Sequence, residues 1–136
     1  MHLEQVDVLR CPAPHEDSWL VAVIEQLASR EIVRGTLGCP VCGAEYPVRG
    51  REVQMGGTAS ASVEPASTDE AMRMAALLDL AEPGGLALLA GRWGAHAPAL
   101  RLLVDQRLLL LAPPASVAME EGIYGLLAPA GVFPLG

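Results

Sequence analysis

Cys39-Pro40-Val41-Cys42-Gly43 places two thiols three positions apart in a segment built to turn tightly. Thiolates at this spacing can share one tetrahedral ion from a knuckle. Gly43 suits the left-handed backbone that lets neighbouring amides face the sulfurs. A structural zinc takes four protein ligands, so two more are needed. Cys11-Pro12-Ala13-Pro14-His15 offers a third thiol and an imidazole, and the whole pattern reads Cys-x3-His-x23-Cys-x2-Cys. Pro12 and Pro14 stiffen that loop and lower the entropy lost when it closes on an ion. Cys11, His15, Cys39 and Cys42 are therefore the expected zinc ligands, with Glu16, Asp17 and His2 as substitutes for His15. Such an ion adds roughly 10–16 kcal/mol of apparent binding energy to folding. That exceeds what a small β-rich segment with few aromatics draws from its own core.

The cysteines admit other readings. Cys39 and Cys42 could form a redox dithiol, but a thioredoxin-type pair sits between a strand and a helix. Here Ala44-Glu45-Tyr46-Pro47-Val48 follows, which is not a helix start. Cys11 could be a buried apolar thiol and His15 a surface loop residue. No Ser/His/Asp or Cys/His nucleophile arrangement is visible, so no catalytic residue is expected.

These residues sit in a chain of 136 that is 51% hydrophobic and 18% charged, which excludes a disordered polyelectrolyte. Nine arginines, no lysine and sixteen acids give a net charge of −7. Neither half has the basic surplus that a phosphate backbone requires, and direct nucleic-acid binding is disfavoured. The longest uncharged runs, 108–119 and 122–136, are short and broken by prolines, so no membrane span is expected. The N-terminus is acidic where a secretory signal would be basic. With three cysteines, a reduced, cytoplasmic protein is the expectation.

Character changes near residue 56. Residues 1–55 read as a β-rich zinc-knuckle domain. A short strand is expected at Val6–Arg10, with a hairpin from Trp19–Glu25 and Glu31–Leu37. Residues 56–68, small and polar without periodicity, read as a flexible linker. Residues 69–136 read as an α/β unit. Ser67-Thr68-Asp69-Glu70 resembles a capping box. Ala71, Met74, Ala75, Leu78 and Ala81 follow at helical spacing as far as a stop at Glu82-Pro83-Gly84-Gly85. Leu86–Ala90 and Arg107–Ala112 are expected as buried strands. Pro98 begins a helix between them, with Ala99, Leu102 and Leu103 on one face and Arg101 and Asp105 on the other. A third strand is expected at Val132–Leu135. Apolar strands alternating with helices predict a parallel sheet.

Leu9-Arg10-Cys11-Pro12, Gly38-Cys39-Pro40-Val41-Cys42-Gly43 and Tyr46-Pro47-Val48-Arg49-Gly50 are familiar together. The segment from about Val6 to Val53 resembles the small zinc-binding activator family of methyltransferases. That family comprises the shared subunit of tRNA, rRNA and release-factor methyltransferases and its short bacterial relatives. The resemblance implies a non-catalytic module whose apolar surface and strand edge pair with a Rossmann-like methyltransferase. One position departs: bacterial relatives show Cys-Pro-x-Cys in the first knuckle, whereas Pro14 stands here with His15 next.

Residues 69–114 resemble the start of a class I methyltransferase. Such a site needs a Gly-rich loop where backbone meets cofactor and a carboxylate after the second strand. Gly91 and Gly94 are the only cofactor-binding candidates, separated by a bulky Arg92-Trp93. The second strand runs into Ala112-Pro113-Pro114 where an acid should stand. S-adenosylmethionine is therefore disfavoured and the unit reads as a truncated Rossmann-like fold. Trp93 is expected as an apolar plug, His96 as a loop histidine near a helix start, and Glu120-Glu121 as a solvated turn. The expected fold class is α+β, a β-rich zinc knuckle followed by a partial Rossmann-like unit. The expected function is a non-enzymatic scaffold that engages a protein partner, such as a methyltransferase, or a second copy. The alternatives are an oligomer-completed methyltransferase and a redox protein.

Overall fold

A computed structural model describes residues 1–80, 84–129 and 132–136. Helices and strands are both present, as expected of an α+β chain. The chain divides into two compact units, residues 1–58 with 127–136, and residues 59–126.

The first unit is antiparallel. Its strands β1 (Val21–Ala28), β2 (Glu31–Gly38), β3 (Glu45–Arg49) and β4 (Glu52–Gln54) pair in chain order. Ser29 and Arg30, both with positive φ, form the two-residue turn between β1 and β2. Positive φ at both central positions is what a twisted hairpin requires. Alternation sets the core of one face: Leu37 of β2, Tyr46 and Val48 of β3 and Val53 of β4 are buried, whereas Glu45, Pro47 and Arg49 face water, and Ile32 of β2 is buried out of that phase. β1 is different. Val21, Val23, Ile24 and Leu27 are all exposed, and among the described residues the strand pairs only with β2.

Two expectations fail in this unit. Val6–Arg10 is not a strand: Leu3–Val6 is a one-turn helix (α1) capped by His2, and Leu9 and Arg10 make only single bridges. The capping box, with the His2 side chain accepting from Glu4 and the Gln5 side chain accepting from the His2 N–H, outweighs the β preference of a few apolar residues. Val132–Leu135 is not a third parallel strand. Leu135 bridges Leu9, the Arg10 N–H donates to the Pro134 carbonyl and the Gly136 N–H to the Val8 carbonyl. The tail thus belongs to the first unit.

The second unit is parallel. Helix α2 (Thr68–Leu77) leads to β5 (Leu86–Ala90), a 3-10 turn (Gly91–His96), α3 (Ala97–Arg101), β6 (Arg107–Leu111) and β7 (Ile123–Leu127). β5 pairs β6 and β6 pairs β7, all parallel. The Ser67 hydroxyl accepts from the Glu70 N–H at 3.2 Å, the N-cap its sequence announced. Ala81 and the Glu82-Pro83 stop lie outside the described residues. Ala71 of α2 and Ala97 and Leu100 of α3 pack on Ala87, Leu89, Leu108, Leu110 and Ile123. The expected face of α3 is therefore wrong: Leu102 and Leu103 are exposed and Leu100 is buried. The 3-10 turn ahead of Pro98 rotates the helix entry, and five residues are too few for a pattern to fix its phase.

The span read as a linker is tied down. The Ser60 N–H donates to the Pro113 carbonyl, the Ala115 N–H donates to the Ser60 carbonyl, and Ser116 Oγ donates to the Val63 carbonyl. The Ala66 N–H donates to the Ala95 carbonyl.

Candidate metal centre

Two loops of the first unit meet beside the join between β2 and β3. The second of them runs from Cys39 to Ala44 and is closed by the Cys39 N–H donating to the Ala44 carbonyl at 2.9 Å. Within it the Gly43 N–H donates to the Cys39 carbonyl at 2.9 Å, and Gly43 has φ +74. A Cβ-bearing residue is strained in that region, which is the physical reason for glycine after the second cysteine. The turn aims amides at sulfur: the N–H groups of Val41 and Cys42 face Cys39, and that of Ala44 faces Cys42.

The first loop, 11–18, is closed at its base. The Cys11 N–H donates to the Ser18 carbonyl at 2.9 Å and Arg10 bridges Trp19. Arg10 also pairs with Asp17 and lies 4.7 Å from the centre of the Trp19 ring. This closure projects Cys11 and His15 from one short loop toward the knuckle.

The four donor atoms of Cys11, His15, Cys39 and Cys42 all lie within 4.8 Å of one another. Cys11 Sγ and Cys42 Sγ are 3.7 Å apart, and Cys39 Sγ is 3.5 Å from His15 Nε2. With Zn–S bonds of about 2.3 Å and Zn–N bonds of about 2.0–2.1 Å, a tetrahedron has edges of about 3.5–3.8 Å. The cluster thus has the size and donor set of a Cys3His metal site. His15 is already in the required tautomer. Its Nδ1 lies 2.6 Å from the Glu16 carbonyl, an acceptor only, so Nδ1 carries the proton and Nε2 keeps its lone pair.

Electrostatics agree with a cation site. Burial raises the Cys39 thiol, but the Cys42 and Val41 amides outweigh it and bring the pKa down to about 6. For Cys42 the Ala44 amide pulls down, yet burial and the adjacent Cys39 and Cys11 sulfurs push it up. The neighbouring sulfurs oppose ionisation of Cys42, and a divalent cation would remove that conflict. The His15 imidazole is held above its ordinary value, first by the Glu16 carbonyl and then by Cys11.

Of the substitutes, Asp17 is paired to Arg10 and His2 caps α1. Neither they nor Glu16 join the cluster. The residue that sequence reasoning passed over is Tyr46. Its hydroxyl lies 3.1 Å from Cys11 Sγ, and burial together with that sulfur raises its pKa, so it stays protonated and can donate to that sulfur. Its place two residues after the Gly43-Ala44 turn, at the start of β3, was the available signal.

The glycines proposed for a cofactor meet local requirements, one of backbone conformation and one of packing. Gly91 opens the 3-10 turn with φ +55. A Cβ on Gly94 would stand 3.0 Å from Pro114 Cδ and 3.4 Å from Leu110 Cδ1, so Gly94 lets the turn rest on the end of β6. Trp93, expected as a plug, is 48% exposed and lines a groove. Glu120 and Glu121 are exposed at a turn, as expected. No helix among the described residues is long and apolar enough to cross a membrane. No protein-family model, curated protein or solved structure matches the chain.

Proposed function

We propose that the chain is a non-catalytic zinc-binding interaction module. In this reading Cys11, His15, Cys39 and Cys42 hold one zinc ion, and β1 of the same unit receives a protein partner. The observation that carries it is the pair of edges at 3.7 and 3.5 Å in a Cys3His cluster. Three thiolates and an imidazole select zinc over harder cations, and four protein ligands leave no open position for a substrate. The ion would neutralise the thiolates and cross-link two loops far apart in sequence. Tyr46 and the knuckle amides hold the sulfurs in place. Free thiols persist in a reducing compartment, so the cytoplasm is the proposed location.

β1 supports the interaction half of the reading. Its outer edge has no partner strand among the described residues, and Val21 and Val23 on one of its faces are 59% and 65% exposed. Covering an aliphatic side chain of this size contributes roughly 1.5–3 kcal/mol, and a free strand edge is a template for another chain. The resemblance of Leu9–Pro12, Gly38–Gly43 and Tyr46–Gly50 to methyltransferase activators suggests a Rossmann-like methyltransferase as that partner. The second unit is proposed as a truncated Rossmann-like element with a structural role. Gly94 is occupied by packing, and β6 runs into Pro113-Pro114 with no ribose-binding acid.

Elemental analysis of the purified chain should return about one zinc per chain. His15→Ala should lower zinc retention far more than His96→Ala, and equal effects would remove His15 from the ligand set. Titration with S-adenosylmethionine should give no binding heat.

A further inference from the structure

The three thiols of the cluster are not equally placed. Cys42 is exposed, Cys11 is half-buried and Cys39 is 3% exposed. Around Cys42 the tip of the knuckle is open, with Pro40, Val41 and Gly43 exposed as well. Oxidation of a thiol follows its access to solvent, so a hydroperoxide in water meets Cys42 first.

An oxidised thiol is captured as a disulfide when a second sulfur lies close by. Cys11 Sγ is 3.7 Å from Cys42 Sγ and comes from the other loop. A disulfide bond is about 2.05 Å long, so the two side chains need to approach by less than about 2 Å. Cys39 also neighbours Cys42, but its sulfur is buried and anchored. His15 Nε2 lies 3.5 Å from it, and the Val41 and Cys42 amides and the Ser18 hydroxyl face it. Bonding to Cys42 would pull Cys39 away from those partners at a buried position, whereas Cys11 crosses from one loop to meet an exposed sulfur on the other.

We propose that Cys42 is an oxidant-reactive thiol with Cys11 as its resolving partner, and that hydrogen peroxide converts the metal centre into a Cys11–Cys42 disulfide. The Cys42 thiolate attacks one peroxide oxygen, the O–O bond breaks, and Cys42 sulfenic acid forms as hydroxide leaves. The Cys11 thiolate then attacks the sulfenic sulfur, the S–O bond breaks and a second hydroxide leaves. The two thiolates together lose two electrons and the peroxide gains them. Cys39 and His15 are then left as protein ligands, too few for a tetrahedral structural site, so the ion is released. The two loops stay joined, by a covalent bond in its place. The release rests on the zinc reading; the disulfide does not.

The test uses the full chain purified under reducing conditions, with its zinc content measured before hydrogen peroxide is added. A chromophoric indicator should then register loss of the zinc. Dimedone present during the reaction should mark Cys42. Without dimedone, alkylation after oxidation should label Cys39 alone. The chain has no lysine, and tryptic cleavage after Arg10, Arg30, Arg34 and Arg49 leaves Cys11 in 11–30 and Cys39 with Cys42 in 35–49. The expected disulfide therefore joins two peptides, whereas a Cys39–Cys42 bridge stays within one. Dithiothreitol should restore both thiols and zinc binding. A bridge that includes Cys39, dimedone on Cys11 or Cys39 in place of Cys42, thiols that all stay free, or zinc retained once the bridge has formed overturns the proposal. Zinc absent from the untreated chain would sink the zinc reading instead, and the disulfide map would still decide the pair.

Discussion

The first unit gathers four donor atoms within 4.8 Å at one side of four antiparallel strands, whereas the second lays two helices on three parallel strands made almost wholly of leucine, alanine and isoleucine. In the second unit Leu108, Leu109, Leu110, Ile123 and Leu126 are all fully buried, so burial of apolar surface is sufficient cause for its order. In the first, a whole eight-residue strand contributes almost nothing to the core, and Cys11 and Cys39 come from loops. What differs is the kind of force that closes the unit. One relies on apolar burial alone; the other has a core that includes Ile32, Leu37, Val48 and Val53, to which the proposed ion would add a few strong, directional bonds. The first kind tolerates change at any one position; the second depends on each of four atoms.

The sharpest way to break that contrast is to remove the proposed ion. A strong chelator should unfold the first unit and spare the second, because roughly 10–16 kcal/mol of apparent metal binding exceeds the stability of a typical small domain. Amide hydrogen exchange would show protection lost at Ile32, Leu37 and Val48 and kept at Leu108–Leu110. Lowering the pH should act in the same direction, since protons compete for three thiolates and the His15 nitrogen. Protection that survives chelation in both units would sink the contrast.

A smaller effect should come from the other side. Leu110→Ala deletes a fully buried side chain from the apolar core and should cost about 2–5 kcal/mol in the second unit. Zinc content should be unaffected, as read by denaturation and elemental analysis of the same sample. The least effect expected is that of Tyr46→Phe, which keeps the buried ring and deletes only the donor to Cys11. Loss of an outer partner of a metal ligand weakens metal affinity about 10–100-fold. Competition with a chromophoric chelator measures it, and an unchanged affinity would mean that the 3.1 Å contact carries no weight.

The parts of this architecture that could be read from the chain are those whose cause is local. The knuckle was legible because Cys-x2-Cys-Gly encodes a turn within five residues, and the β1–β2 hairpin because two apolar runs flank a short polar break. Leu86–Ala90 was read at its observed bounds and Arg107–Ala112 to within one residue, since uninterrupted apolar runs of that length suit buried strands. The tail was not legible. Val132–Leu135 has the composition of a strand, but the strand-like partner it found is Leu9, at the far end of the chain. The same holds for residues 56–68, whose small polar side chains say nothing of the carbonyls at Pro113 and Ala95 that anchor their backbone.

Sequence alone determined the chemistry on offer: three thiols and an imidazole with knuckle spacing, an acidic balance unsuited to phosphate backbones, and leucine-rich strands fit for a parallel sheet. Tertiary structure decided which of four candidate side chains completes the cluster, which nitrogen of His15 keeps its lone pair, and which strand edges stay open. Those outcomes depend on distances between residues tens of positions apart. Spacing along the chain fixes which atoms can meet, and only the folded backbone fixes whether they do.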